Sequence, residues 1–203
     1  MRSSVYFTRR LPYYQGSTSL GEEREGTMRV GSETVWRTEA PPDRVWEILA
    51  DYERWPTWWT AIRSVELLDP GDRRGVGSRL RQSWRGRIPV PIAFDLAMER
   101  IERPHVLQGR ASGALEGTCG WELVADGPGT GIRFVVDARM TRWWMRLPLP
   151  FASRVAAGEF RAVMEAGRQG LERHLGDPVT RLAPHEDGGR RLPAAAADHR
   201  QAG

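Results

Sequence analysis

From Val65 to Thr141 apolar and polar residues alternate with a period of two, and turn formers interrupt the alternation at short intervals. Strands are expected near Val65 to Leu68, Ser78 to Arg85, Ala93 to Ile101, His105 to Leu115, Gly117 to Ala125 and Thr130 to Thr141. The separators Pro70-Gly71-Asp72, Pro104 and Asp126-Gly127-Pro128-Gly129 are too short for helical crossovers, so neighbouring strands must run antiparallel in a curved meander. One face of the sheet is predicted apolar. It carries Leu80, Gln82 and Trp84, then Leu107, Gly109, Ala111 and Gly113, then Cys119, Trp121 and Leu123, then Ile132, Phe134, Val136, Ala138 and Met140. The opposite face is mostly Arg, Glu, Asp and Ser, so the apolar face needs a cover.

The cover is a helix expected over Ala152 to Leu175. Its apolar or small residues Ala156, Phe160, Val163, Met164, Gly167, Leu171 and Leu175 recur every three or four positions. Upstream, Ser32 to Ala40 reads as a first strand with Thr34, Trp36 and Thr38 on one face. Pro41-Pro42-Asp43 opens a helix carrying Val45, Trp46, Leu49 and Tyr52, and Pro56 starts a second short one to Ile62 with Trp58 and Trp59. The small residues of the inner sheet face leave room beneath the long helix. That space is either a ligand cavity or a filled core, and the pattern fits both.

The flanks read differently. Residues Met1 to Thr27 have no apolar periodicity and no signal-peptide core, so they are expected to be a disordered extension, with Met28 as an alternative start. After Gly176, residues 177–203 read as a disordered Arg/Ala/Pro tail. The folded domain is therefore placed at 28–176. In the chain of 203 residues, 40% hydrophobic and 28% charged, no apolar run is long enough for a spanning helix. The single cysteine, Cys119, excludes an internal disulfide and fits a reducing compartment, so a cytoplasmic setting is expected. All 30 basic residues are arginine, a bias that fits a GC-rich genome and is no argument for nucleic acid at a net charge of +4.

Three motifs carry a resemblance. Ala40-Pro41-Pro42-Asp43-Arg44-Val45-Trp46, Asp51-Tyr52-Glu53-Arg54-Trp55-Pro56-Thr57-Trp58 and Gly75-Val76-Gly77-Ser78 resemble the polyketide cyclase/dehydrase branch of the START-related, pollen-allergen-like (SRPBCC) superfamily. Pro104, Trp121-Glu122-Leu123, Gly129-Thr130-Gly131 and the terminal helix follow in the matching order. The resemblance implies an α+β helix-grip fold: a curved antiparallel sheet wrapped around a long C-terminal helix, with two short helices after the first strand closing one end of an apolar cavity. It implies binding of a polyketide, isoprenoid or lipid, with cyclisation or dehydration of such a ligand as the alternative. It assigns no catalytic residue.

The expected ligand-binding residues are Trp58, Leu80, Gln82, Trp84, Leu107, Gly109, Ala111, Cys119, Trp121, Phe134, Val136, Ala138, Met140, Phe160, Val163, Met164 and Gly167. Gln82 either orients a ligand or bonds to buried backbone, and Cys119 reads as a small hydrophobe. Asp95 and Glu99 share one face of their strand, the one opposite Phe94, Leu96 and Met98, so they are expected in solvent. His105 and His174 are read as structural or exposed. The apolar, proline-rich stretch with Trp143, Trp144, Met145, Leu147 and Phe151 is either a lid at the cavity mouth or, between Arg142 and Arg154, a peripheral membrane or partner contact. The stripe Arg79, Arg81, Arg85 and Arg87 is a solvated face, since Trp84 has the opposite parity and no aromatic is interleaved for nucleic acid. No pattern indicates a metal, a cofactor or a particular oligomer.

Overall fold

In the computed structural model, which describes residues 28–86, 91–141 and 152–182, the alternating stretches form a single antiparallel sheet of eight strands. The elements run β1 (Met28–Thr38), α1 (Pro42–Ala50), a 3-10 turn (Tyr52–Arg54), α2 (Trp55–Trp58), β2 (Ile62–Asp69), β3 (Arg79–Trp84), β4 (Ile92–Glu102), β5 (Val106–Gly113), β6 (Leu115–Asp126), β7 (Gly129–Met140), α3 (Ala152–Leu175) and β8 (Val179–Leu182). The strand order is β2-β3-β4-β5-β6-β7-β1-β8. Strands β2 to β7 thus form a meander, and β1 closes against β7 in a register that pairs Trp36 with Ile132. This is the helix-grip architecture, a curved sheet with one long C-terminal helix.

Helix α1 starts at Pro42, where a missing N–H costs nothing, and Asp43 faces the positive end of the helix dipole. It buries Val45, Trp46, Ile48 and Leu49. The chain then tightens. Helix α2 ends when the Trp59 backbone turns extended and its N–H bonds to the Trp55 carbonyl, so Ile62 begins β2 instead of closing a helix. Between β6 and β7, Gly127 supplies the positive φ (63°) that a two-residue connection requires.

Several elements depart from the expected bounds: β1 runs Met28–Thr38 where Ser32 to Ala40 is expected, and α2 covers only Trp55–Trp58. Strand β2 begins at Ile62, three residues before the expected start, because in this edge strand only Ile62 is buried and Val65 half-buried, too little for alternation to show. Strand β8 lies in the stretch assigned to the tail. Val179 is 1% exposed, Val35 pairs with Leu182, and Arg168 of α3 donates to the Val179 carbonyl. Its four residues were hidden by the Arg, Ala, Pro and Gly around them. The expected disordered stretches at 1–27 and beyond Leu182 lie outside the described residues.

The second face of the sheet is not uniformly solvated. Toward β2 it carries ion pairs, with Asp95 bonded to Arg81 at 2.9 Å and Glu99 to Arg110 at 2.6 Å. Toward β1, β6 and β7 it is buried: Arg133 joins Glu33 at 2.8 Å and Glu122 at 2.7 Å, and the Arg133 and Glu122 side chains are each only 8% exposed. Burial alone would lower the Arg133 guanidinium, but its bonds to Glu33 and Glu122 outweigh this and hold its pKa above the ordinary value.

Candidate ligand-binding site

The inner face is organised around Trp59, fully buried at the end of α2. Its ring centroid lies 5.5 Å from that of Trp58, 5.7 Å from Trp55, 5.4 Å from Trp84 and 6.0 Å from Trp121. Trp121 continues the cluster to Phe134 at 4.5 Å, and Phe134 stacks on Phe160 of α3 at 6.3 Å. Tilted and edge-on geometries predominate, as ring quadrupoles favour. The expected ligand-binding residues include Trp58 and not Trp59, because two adjacent tryptophans at a helix end leave no periodicity to tell which ring points inward.

Gly167 and Gly170 admit this cluster. A Cβ at Gly167 would lie 2.5 Å from Trp59 Cε2, and one at Gly170 would lie 2.0 Å from the Trp58 carbonyl oxygen. The structure therefore places Gly167 beneath an indole, where its missing side chain permits contact and opens no space. Gly109 behaves alike, since the position of its missing Cβ is 2.8 Å from the Ala97 carbonyl oxygen and 2.9 Å from Leu96 Cδ1.

Burial along the inner face is asymmetric. At the end near α1, the side chains of Leu107, Leu123 and Ile132 are sealed. At the other end Trp84, Ile92, Leu115, Met140 and Phe160 are only half-buried. The register pairs Trp84 with Ile92 and Leu115 with Met140. Ala111, Val136, Ala138, Val163 and Met164 lie in the packed core between. The half-open end is where α3 begins, and there Glu159 reaches back over β3, its Oε2 2.0 Å from where a Cβ of Gly86 would stand.

Polar groups on this face are few. Gln82, 1% exposed, accepts a 2.8 Å hydrogen bond from Trp84 Nε1 through its Oε1, while its Nε2 has no partner among the described residues. Leaving a buried donor unpaired costs about 1–3 kcal/mol. Burial pushes the Cys119 thiol from about 9 up to about 12, so it is neutral and a poor nucleophile at neutral pH. Among the described residues, the inward positions of β3 to β7 hold this amide, this thiol and the Thr130 hydroxyl, which donates to the Ala40 carbonyl, and no carboxylate. No group of three or more His, Cys, Asp or Glu there has metal-ligand geometry.

A family model described as polyketide cyclase / dehydrase and lipid transport matches residues 23–176. The chain belongs to this family. In fold, this polyketide cyclase/dehydrase family member is similar to the Zhui aromatase/cyclase from Streptomyces sp. R1128, with 16% identity, 73% of this chain and 94% of that one covered, and a TM-score of 0.60. It is likewise similar to a START superfamily protein from Mycobacterium smegmatis, at 17% identity over 72% of this chain and 98% of that one, with a TM-score of 0.57. The di-domain ARO/CYC BexL from the BE-7585A biosynthetic pathway matches at 16% identity over 70% of this chain and 48% of its own, with a TM-score of 0.53. At these identities the likeness is one of fold. No curated protein matches the sequence.

Other residues considered from the family member's sequence fall away from the inner face. His105 caps the β4–β5 turn, its Nδ1 3.2 Å from the Leu123 carbonyl oxygen, and His174 is exposed beside the Trp58 ring at 6.5 Å. Asp95 and Glu99 pair with arginines outside, as their parity predicts, and Arg79 and Arg81 share Asp95. Trp143, Trp144, Met145, Leu147 and Phe151, together with Arg87, lie outside the described residues. No described helix is long and apolar enough to cross a membrane.

Proposed function

We propose that this protein binds a hydrophobic small molecule, a polyketide, isoprenoid or lipid, between the inner sheet face and the first half of α3. The observation that carries the reading is the asymmetric burial: apolar side chains of the inner face are sealed at the α1 end, and those of four strands and the helix are half-exposed at the other. Exposed apolar surface gathered inside a concave sheet is what an apolar ligand covers. The family supports the ligand class, and the free thiol of Cys119 supports a reducing, cytoplasmic setting.

Cyclisation or dehydration of a bound polyketide is the second reading, favoured by the family description and by the fold of the Zhui aromatase/cyclase. General acid-base catalysis needs a titratable group facing the ligand. The described inward positions of β3 to β7 offer an amide, and the carboxylate nearest the half-open end is that of Glu159 on α3. Titration of the full chain with a fluorescent apolar probe tests the reading. Saturable, one-site binding that is displaced by an oxygenated polycyclic competitor is the expected result, and an absence of saturable binding overturns it. Native mass spectrometry of protein purified from its own host then identifies the occupant.

A further inference from the structure

Gln82 sits in an apolar wall on β3, opposite Phe94 on β4 and two residues from the half-buried Trp84. The indole Nε1 of Trp84 is a donor only, so the Gln82 atom that meets it at 2.8 Å must be the amide oxygen. That bond settles the amide's orientation. The NH2 group is directed away from Trp84 into the apolar interior, where it has no partner among the described residues. Methionine would fill the same length without the desolvation penalty, so the amide is an expensive choice for packing alone.

Two other buried polar atoms lack partners, Ser78 Oγ and Trp58 Nε1. Ser78 leads into β3 from the turn after β2, at the end opposite the half-buried side chains, and its hydroxyl rotates freely. Trp58 lies on α2, against Trp59 and the exposed His174. Neither adjoins the half-open end, whereas Gln82 does.

The geometry points to Gln82 as the residue that fixes the polar end of the ligand, its NH2 donating to a carbonyl or hydroxyl oxygen on an otherwise apolar, ring-sized molecule. This rests on the ligand-binding reading above and narrows it, because a pure hydrocarbon leaves the donor unpaired whereas an oxygenated ligand satisfies it. Nε2 has almost no free surface. The neighbour with room to move is the half-buried Trp84 ring, so binding includes a small displacement of that ring that keeps its Nε1 on the Gln82 amide oxygen and so keeps the NH2 aimed.

Fluorenone and fluorene share a planar frame and differ by one carbonyl. The wild-type chain is expected to bind fluorenone about tenfold more tightly than fluorene, after correction for their water-to-octanol partition, which corresponds to about 1.4 kcal/mol. In Gln82→Met the preference is expected to vanish while fluorene affinity stays within twofold. A second measurement needs no variant: the carbonyl stretch of fluorenone bound to wild-type protein should shift to lower frequency than in hexane, as hydrogen bonding requires. Equal preference in wild type and Gln82→Met, or an unshifted stretch in the wild type, overturns the role of Gln82 and leaves the binding reading standing. Failure of both probes to bind saturably overturns the binding reading and this inference with it.

Discussion

Trp59 Nε1 donates a 2.8 Å hydrogen bond to the Val163 carbonyl of α3, the acceptor that in an α-helix also serves the N–H of Gly167. The indole reaches this carbonyl because position 167 has no side chain. One contact thus docks the α2 corner onto the last helix and sets the distance between them.

Gly167→Leu is therefore expected to destabilise the fold by about 1–3 kcal/mol, the usual cost of overpacking. Denaturant unfolding measures it. A variant as stable as the wild type would mean that Trp59 yields without cost and that the position borders empty space after all.

Added volume at the half-open end should behave in the opposite way. Leu115→Trp is expected to lower probe affinity at least tenfold while stability changes by less than about 1 kcal/mol, because the new ring enters space that a ligand would take. Unfolding run beside probe titration gives both quantities. Lost stability with unchanged affinity would place the ligand elsewhere.

Cys119 should resist alkylation. Burial raises its thiol to about 12, so the neutral form is favoured in the fold. The associated stability is fully present below the unfolded thiol's value of about 9 and is lost as pH rises toward 12. Iodoacetamide labelling at pH 8, followed by intact mass, is expected to be negligible until denaturant is added. Rapid labelling of the native protein would show that the thiol is reached by solvent.

Arg133→Met strands Glu33 and Glu122 on a buried patch of the second sheet face. Removing one partner of a buried ion pair costs about 3–5 kcal/mol. A fall of this size in the unfolding free energy, partly reversed by Glu122→Gln in the same chain, is the expected result. Independent, additive effects of the two changes would argue against their coupling.

Ending the chain at Pro178 removes β8. Val179 is 1% exposed, and burying one valine is worth about 1.5–3 kcal/mol. The shortened chain is expected to melt at a lower temperature than one ending at Leu182, and equal melting temperatures would show that β8 is dispensable.

The extent to which the sequence disclosed this molecule follows from how many neighbours each element has. Inner strands such as β4 and β7 declare themselves because Phe94, Leu96 and Met98, or Ile132, Phe134 and Val136, each occupy every second position facing α3. Helix α3 is legible for the same reason at a period between three and four. Strand β2, at an edge, and β8, four residues with one sealed side chain, carry too little patterned burial to stand out from their surroundings. In the candidate site, parity alone places Gln82 and Trp84 on the inner face. Parity cannot say that the amide oxygen faces an indole, because that depends on two rotamers. Gly109 and Gly167 are the instructive cases: a sequence records that a side chain is missing, but the atoms that move into the vacancy come from elements far away in the chain.

The crowding of indoles has an optical consequence. Trp36, Trp55, Trp58, Trp59, Trp84 and Trp121 are linked by centroid separations of 5.4 to 6.0 Å. Excitation absorbed by one ring migrates among neighbours so close and drains toward the ring with the lowest-energy excited state, which is the one in the most polar surroundings. Among these six that ring is Trp84, the half-buried member at the open end. The ultraviolet emission of this cluster is thereby weighted toward the one member of it that a ligand would disturb, and a change in its colour and lifetime serves as a label-free gauge of occupancy.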